Sequence, residues 1–225
     1  MNAIRSVVFD VGETLLDDTT EWGRWADWIG VPRHTFSAVM GAVTASGRDN
    51  AETFDYFSPG FDVLAERQRR EEAGCGENIG ESDLYPDVRA TLRALHDAGY
   101  WVGVSGNQSA RAGELLRELR LPVHAVATSG EWGLVKPQPE FWERLVGWAP
   151  GQAQEILYVG DHRDYDVLPA HQAGLRTALV RRGPWGHLWA DDPVVRATAD
   201  WVLRSLYELP ELLGPAGIGL LPASG

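Results

Sequence analysis

Four short stretches of this chain carry residue types that could act together on a charged substrate. The first is Val7-Val8-Phe9-Asp10, an apolar run that stops on a carboxylate and continues as Val11-Gly12-Glu13-Thr14-Leu15-Leu16-Asp17. An apolar run ending on Asp at a glycine turn reads as a buried parallel strand that delivers an acid to a crevice. There it suits a nucleophile or a metal ligand, although a single Asp in such a place can also simply cap the next segment. The second stretch, Val102-Gly103-Val104-Ser105-Gly106-Asn107, ends a strand on a hydroxyl and a run of backbone amides. The third is Val135-Lys136-Pro137, and the fourth is Leu157-Tyr158-Val159-Gly160-Asp161, with Asp166 beyond it.

A parallel sheet places its ligand site outside the carboxyl ends of its strands, so Asp10, Ser105 and Asp161 can meet in one crevice. Two carboxylates converging there repel each other and resist ionisation unless a cation lies between them. A hard divalent ion answers this, and Mg²⁺ suits carboxylate, carbonyl and phosphate oxygens together. Of the 20 lysines and arginines, Lys136 is the only lysine. A lone lysine is ordinarily a solvated surface residue. Here its place before Pro137, at the end of an apolar stretch, favours a role that a compact ammonium fills and a guanidinium does not.

In order and spacing the four stretches resemble the motifs of the haloacid dehalogenase superfamily, from Val7 to about Trp201. The resemblance implies a hydrolase whose aspartate attacks phosphorus or, in a minority, carbon, usually with Mg²⁺. It therefore points to a Mg²⁺-dependent phosphatase acting on a small phosphorylated metabolite through an aspartyl-phosphate. By the same resemblance Asp10 is the nucleophile, and the metal ligands are Asp10, the backbone carbonyl of Gly12, and Asp161. Ser105, with the amides of Gly106 and Asn107, would hold phosphoryl oxygens. Lys136 would neutralise charge on the transferring group, and Asp166 would orient Lys136 or a water on the metal. His162 and Asp164, lying between the two acids, are read as a solvated loop.

One departure bears on mechanism. Phosphatases of this family read Asp-x-Asp-Gly-Thr, whereas positions 12 and 13 are Gly12 and Glu13. In those enzymes the second aspartate protonates the leaving group and then activates water, help worth roughly 10²–10⁴ in rate. Gly12 offers no such group but keeps its carbonyl, and Glu13 is a displaced acid only if its side chain turns inward. A phosphatase, either slow or suited to leaving groups that need little protonation, is the favoured expectation. The alternatives are a dehalogenase-type hydrolase, whose members also lack that aspartate but carry a bulky residue there, and a binding or regulatory protein that retains the fold. A resemblance to the family's phosphonate hydrolases, which form a Schiff base with a lysine of their cap, fails because the only lysine, Lys136, lies outside the stretch expected to form a cap.

The elements needed to position these residues are legible in the pattern. Strands are expected at 6–10, 101–105, 124–128, 156–160 and 176–180, and helices at 87–98, 110–119, 140–148 and 165–173, with Pro86, Gly99 and Gly174 as punctuation. Repeated βα units predict an α/β fold, a Rossmann-like parallel sheet with helices on both faces. Between the first two strands the alternation stops. Residues 18–83 read as helices only, at 20–29, 32–45 and 61–73, an insertion too long for an ordinary loop. It is expected to be a small all-α cap, with the core formed by residues 1–17 and 84–213 and a loose tail at 214–225. Trp22, Trp25 and Trp28, at steps of three, are read as packing rather than as a substrate wall. Residues 181–186 read as a turn-rich connection, 199–202 as a last extended segment, and 204–213 as a final helix.

The 225 residues, one cysteine (Cys75) and net charge of −12 constrain the rest. A single cysteine excludes an internal disulfide. The acidic balance disfavours nucleic acid and anionic membrane as partners and leaves a small anionic substrate, provided that cations offset the repulsion. No basic-then-apolar leader is seen at the N-terminus, and a cytoplasmic location is expected.

Overall fold

The computed structural model describes residues 3–214. Six strands form one sheet, all parallel: β1 (Ser6–Phe9), β2 (Trp101–Gly106), β3 (Ala125–Thr128), β4 (Ile156–Gly160), β5 (Arg176–Val180) and β6 (Trp201–Leu203). Their order across the sheet is β3-β2-β1-β4-β5-β6. The chain winds outward from β1 in one direction and then returns to β4 on the other side, so the reversal of winding lies between β1 and β4. Such a switch point opens a crevice at the strand ends. Phe9 is in register with both Val104 and Val159, which brings the residues that follow these three strands to one level.

Alternation along the strands fills both faces. Val7 and Phe9 join Val102, Val104, Leu157 and Val159 in the core under α5 (Val88–Asp97). Val8 and Tyr158 point the other way, into Phe141, Trp142 and Leu145 of α8 (Pro139–Trp148). The remaining sheet helices are α6 (Ala110–Glu118), α7 (Ser129–Trp132), α9 (Leu168–Gln172), α10 (Gly183–Trp189), α11 (Pro193–Thr198) and α12 (Leu209–Leu213).

The insertion after β1 is helical throughout: α1 (Thr19–Trp28), α2 (Arg33–Ala45), α3 (Thr53–Phe57) and α4 (Val63–Glu72), with short 3₁₀ turns. It has a hydrophobic cluster of its own, in which Trp25, Ala26, Phe36, Met40 and Phe54 are buried. Its two connections run side by side, with Asp17 N–H donating to the Asp83 carbonyl (2.8 Å) and Tyr85 N–H to that of Leu15 (3.0 Å). The tryptophan stripe packs. Trp25 meets Phe54 edge-on at 5.1 Å, Trp22 stacks on Phe36 at 6.1 Å, and Trp28 Nε1 donates to Glu66 at 3.0 Å.

Three expectations need correction. Residues 181–186 are not only turns, because Gly183-Pro184 opens α10; Pro is tolerated in a first helical turn, where its missing N–H costs nothing. The helix expected at 165–173 is split into a π-helical turn, Arg163–Val167, and α9, which starts at Leu168 with Pro169 in its first turn. The N–H groups of Asp166 and Val167 both bond to the His162 carbonyl there, which widens the turn. The expected helix at 204–213 is a 3₁₀ turn, Leu206–Glu208, followed by α12. Of the expected tail, residues 215–225 lie outside those described.

Candidate active site

Asp10 follows β1 directly, and its N–H donates to the Val159 carbonyl at 2.8 Å, which ties it to β4. Its carboxylate presses on the end of β2, so closely that a Cβ at Gly106 would lie 2.2 Å from Oδ1. Only glycine fits beside the acid. Lys136 arrives from the loop before α8, and its Nζ donates to Asp10 Oδ1 (2.7 Å), Asp166 Oδ1 (2.6 Å) and the Tyr158 hydroxyl (3.1 Å). It is 5% exposed, so the lone lysine is a buried residue. Asn107 fixes the lysine's backbone from both sides, accepting from Lys136 N–H at 2.7 Å and donating to its carbonyl at 2.9 Å.

Asp166 spends both oxygens, one on Lys136 and the other on the His162 N–H at 2.9 Å. Asp161 follows β4, buried, with Oδ2 accepting no hydrogen bond. Oxygens of Asp10, Asp161 and Asp166 lie within 4.8 Å of one another. Three buried carboxylates thus face one ammonium, an imbalance that a divalent cation would offset. Burial pushes Asp10 up to about 6 despite the opposing Lys136 charge, and burial with the neighbouring Asp166 and Asp10 charges raises Asp161 well above the usual carboxylate range. On Lys136, the two carboxylates outweigh burial and hold the ammonium protonated. The donor set fits Mg²⁺, with Asp10 and Asp161 as the side chains that would hold it.

Ser105 is fully buried at the end of β2, and its Oγ has no hydrogen-bond partner. The crevice, about 270 Å³, is bordered by Asp10, Gly12, Glu13, Asn107, Lys136, Asp161 and Asp166; Ser105 is not on its wall. Glu13 has left-handed backbone angles (φ 51°), and its Oε2 accepts from the Tyr85 hydroxyl at 2.6 Å. His162 is not a solvated loop residue. It is buried among Tyr165, Trp185 and Trp189, and its Nδ1 accepts from the N–H groups of Asp164 and Tyr165 at 3.1 Å each, as a cap for the π turn. Burial lowers it to about 4, which keeps it neutral and able to accept. Asp164 forms a surface pair with Arg163 (2.8 Å).

Four features were not anticipated from the sequence. Tyr158 bridges Lys136 and the Ser105 carbonyl, to which its hydroxyl donates at 2.8 Å. Its place in an apolar strand, one residue before Val159, was the available signal. Asp18 lies on the crevice wall, and Tyr165 links it to the insertion through Asp49 (3.1 Å). The fourth feature is a buried ion pair, Arg182–Asp87, beside the loop that follows β1. Arg182 also donates to the Thr14 carbonyl (2.6 Å) and lies over the Tyr85 ring at 4.2 Å, while Asp87 accepts from Ser205 Oγ (2.6 Å) and Leu206 N–H (2.9 Å).

Removing one partner from a buried, hydrogen-bonded pair is costly, because the other is left uncompensated. Arg182→Ala should therefore lower the urea-unfolding free energy by about 3–5 kcal/mol; a loss under about 1 kcal/mol would show that the pair does not hold this loop. Burial raises Asp87, but hydrogen bonds from Ser205 and Arg182 and the guanidinium charge outweigh it and leave the carboxyl below its ordinary value. Its contribution is accordingly present above the ordinary carboxylate range and lost as pH falls through the lowered value. The variant should lose stability least in acid.

A second cavity, about 280 Å³, adjoins the crevice beneath the insertion and is bordered by Trp22, Arg24, Trp25, Phe54, Arg67 and Ile79. Among the described residues no helix is long and apolar enough to cross a membrane.

Relatives point the same way as the site. The chain is 31% identical over 134 residues to a glyceraldehyde 3-phosphate phosphatase of Methanocaldococcus jannaschii, covering 57% of this chain and 56% of the relative, so it spans about half the length of that protein. It is 26% identical over 234 residues to a phosphoglycolate phosphatase of Vibrio parahaemolyticus, covering 93% and 96% of the two chains. The magnesium-bound HAD-hydrolase YfnB of Bacillus subtilis superposes with a TM-score of 0.70 at 18% identity, over 95% of this chain and all of that one, a likeness of fold. The model of the haloacid dehalogenase-like hydrolases matches residues 4–174. With the strand-end aspartate, the buried lysine and the acidic pair in the order this family uses, the chain belongs to the haloacid dehalogenase-like hydrolases.

Proposed function

We propose that this hydrolase is a Mg²⁺-dependent phosphatase of a small phosphorylated metabolite, with residues 18–83 acting as its cap. The observation that carries this reading is the Asp10 carboxylate, buried at a strand end and bonded at 2.7 Å to Lys136 beside two further carboxylates. An acid so placed is a nucleophile with a fixed counter-charge, and the surplus of carboxylates calls for a cation. Mg²⁺, when bound by Asp10, the Gly12 carbonyl and Asp161, would offset negative charge on the site and the phosphoryl group.

Asp10 would attack phosphorus, and the bond to the leaving oxygen would break with its electron pair. Lys136 meets the charge on the phosphoryl oxygens, and Asp166, bonded to it at 2.6 Å, keeps the ammonium aimed. Backbone N–H groups of Gly106 and Asn107 would hold the remaining oxygens. Water then attacks phosphorus, releases inorganic phosphate and restores the Asp10 carboxylate. The leaving group would extend into the second cavity, whose size suits a small metabolite. The phosphatase names of the two relatives support this reading.

The test is a screen of phosphorylated metabolites with and without Mg²⁺, with a 2-haloacid included. Phosphate release that chelator abolishes and Mg²⁺ restores is expected. Haloacid turnover unaffected by chelator would favour the dehalogenase reading instead. In calorimetry, Asp161→Asn should weaken Mg²⁺ binding by on the order of 100-fold, the upper end of what a supporting residue costs at a metal site. Unchanged Mg²⁺ affinity would remove Asp161 from the ligand set.

A further inference from the structure

We propose that Asp18 is the proton-transfer residue of this hydrolase, reaching from the start of α1 into the space left by the missing side chain of Gly12. The proposal rests on the phosphatase reading above and assigns its general acid–base.

Position 12 carries no acid, yet its place is taken by one. A Cβ built on Gly12 would lie 2.7 Å from Asp18 Oδ2 and 3.5 Å from Asp18 Cγ. A carboxylate therefore stands against the Cα of residue 12, six residues further along the chain. The usual explanation for an aspartate at this point is helix capping, because Asp18 is the N-cap residue of α1. The structure removes that explanation: Asp18 makes no side-chain capping bond. The neighbouring acids are engaged elsewhere. Asp17 Oδ1 accepts from Thr19 N–H at 2.9 Å, and Glu13 Oε2 accepts from Tyr85 at 2.6 Å.

A second observation locates the chemistry. Four residues border both the phosphoryl crevice and the adjoining cavity: Asp18, Asn50, Asn107 and Gln108. Asp18 is the only one of them with an ionisable side chain. With phosphorus beside Asp10 and the leaving group in the second cavity, the bond to be broken spans this junction. A general acid must reach the leaving oxygen, and Asp18 stands there.

In the first half-reaction Asp10 Oδ forms a bond to phosphorus as the phosphorus–oxygen bond to the leaving group breaks, and the Asp18 carboxyl gives its proton to that oxygen. The alcohol leaves neutral. In the second, the Asp18 carboxylate takes a proton from water as the water oxygen bonds to phosphorus and the acyl-phosphate bond breaks. Phosphate, the Asp10 carboxylate and the protonated Asp18 result, so protons balance over the cycle.

The experiment compares an alkyl phosphate with 4-nitrophenyl phosphate, whose leaving group needs little protonation. Wild type should hydrolyse both. Asp18→Asn should lose about 10²–10⁴-fold in kcat on the alkyl ester, while its phosphorylation by the aryl ester stays fast. Since water activation also fails, phosphorylated Asp10 should accumulate in the variant and be detectable by mass spectrometry of acid-quenched protein. Gly12→Asp combined with Asp18→Ser returns the acid to position 12 and empties the space it needs. This double variant should recover alkyl turnover, which a purely structural role for Asp18 would not predict. Alkyl turnover in Asp18→Asn within threefold of wild type would overturn the assignment, as would its loss in Glu13→Gln with Asp18→Asn still active. Wild-type inactivity on both esters with Mg²⁺ would instead sink the phosphatase reading, and this assignment with it.

Discussion

Replacing Asp10 by Asn should abolish turnover and leave the fold intact. The substitution keeps shape and volume but removes the anionic oxygen that, in the proposed mechanism, attacks phosphorus, and in covalent catalysis no neighbour takes over that role. A fall on the order of 10⁴-fold or more is expected, with little change in thermal unfolding. Asp161 and Asp166 do not substitute for it. Asp166 has both oxygens committed to Lys136 and the His162 N–H, and Asp161 starts from β4 rather than from the strand that meets Gly106. Phosphate release would be measured at saturating Mg²⁺, since Asn would also weaken the proposed metal site. Retention of a tenth or more of the wild-type rate would show that another group attacks.

Lys136→Met should damage both activity and stability, which separates it from Asp10→Asn. The lysine is buried between Asp10 and Asp166, so its removal leaves two carboxylates without their counter-charge. Breaking a buried pair in this way destabilises by about 3–5 kcal/mol. Turnover should fall by roughly 10²–10³, the scale seen when one fixed donor to a developing charge is removed. Lys136→Arg should not rescue either property. A planar guanidinium cannot occupy the pocket that one Nζ shares with Asp10, Asp166 and the Tyr158 hydroxyl. If Mg²⁺ restores the stability of Lys136→Met, the deficit is charge and not packing. Denaturation within 1 kcal/mol of wild type and activity within tenfold would together show that Lys136 neither balances the site nor assists transfer.

The sequence by itself determined the sheet and the residues it delivers. Apolar runs bounded by Gly, Pro and Asp are local signals, and a strand end is a local place, so Asp10, Ser105 and Asp161 could be assigned to strand ends without knowing what lies beside them. The helical insertion was legible for the same reason, because its periodicity changes where the sheet pattern stops. Misreadings fell where Pro sits inside a helical turn: Pro184 opens α10, and Pro169 stands in the first turn of α9, just after the π turn. Proline marks both a helix start and a break, and local pattern does not separate the two.

Only the tertiary structure decided which groups face each other. Lys136 meets Asp10 across 126 residues, and Arg182 reaches the Thr14 carbonyl across 168. Tyr158 reads as one more apolar strand residue until its hydroxyl is seen between Lys136 and Ser105. Asp18 gives the clearest case. In the sequence it is an acid before a helix, where capping is the ordinary function. In the fold its backbone (φ −76°, ψ 3°) is not in the extended region usual for a capping residue, its side chain makes no capping bond, and its carboxylate lies against Gly12. Which group an acid at a helix start meets depends on how the insertion and the loop after β1 come together, and that is set by contacts far along the chain.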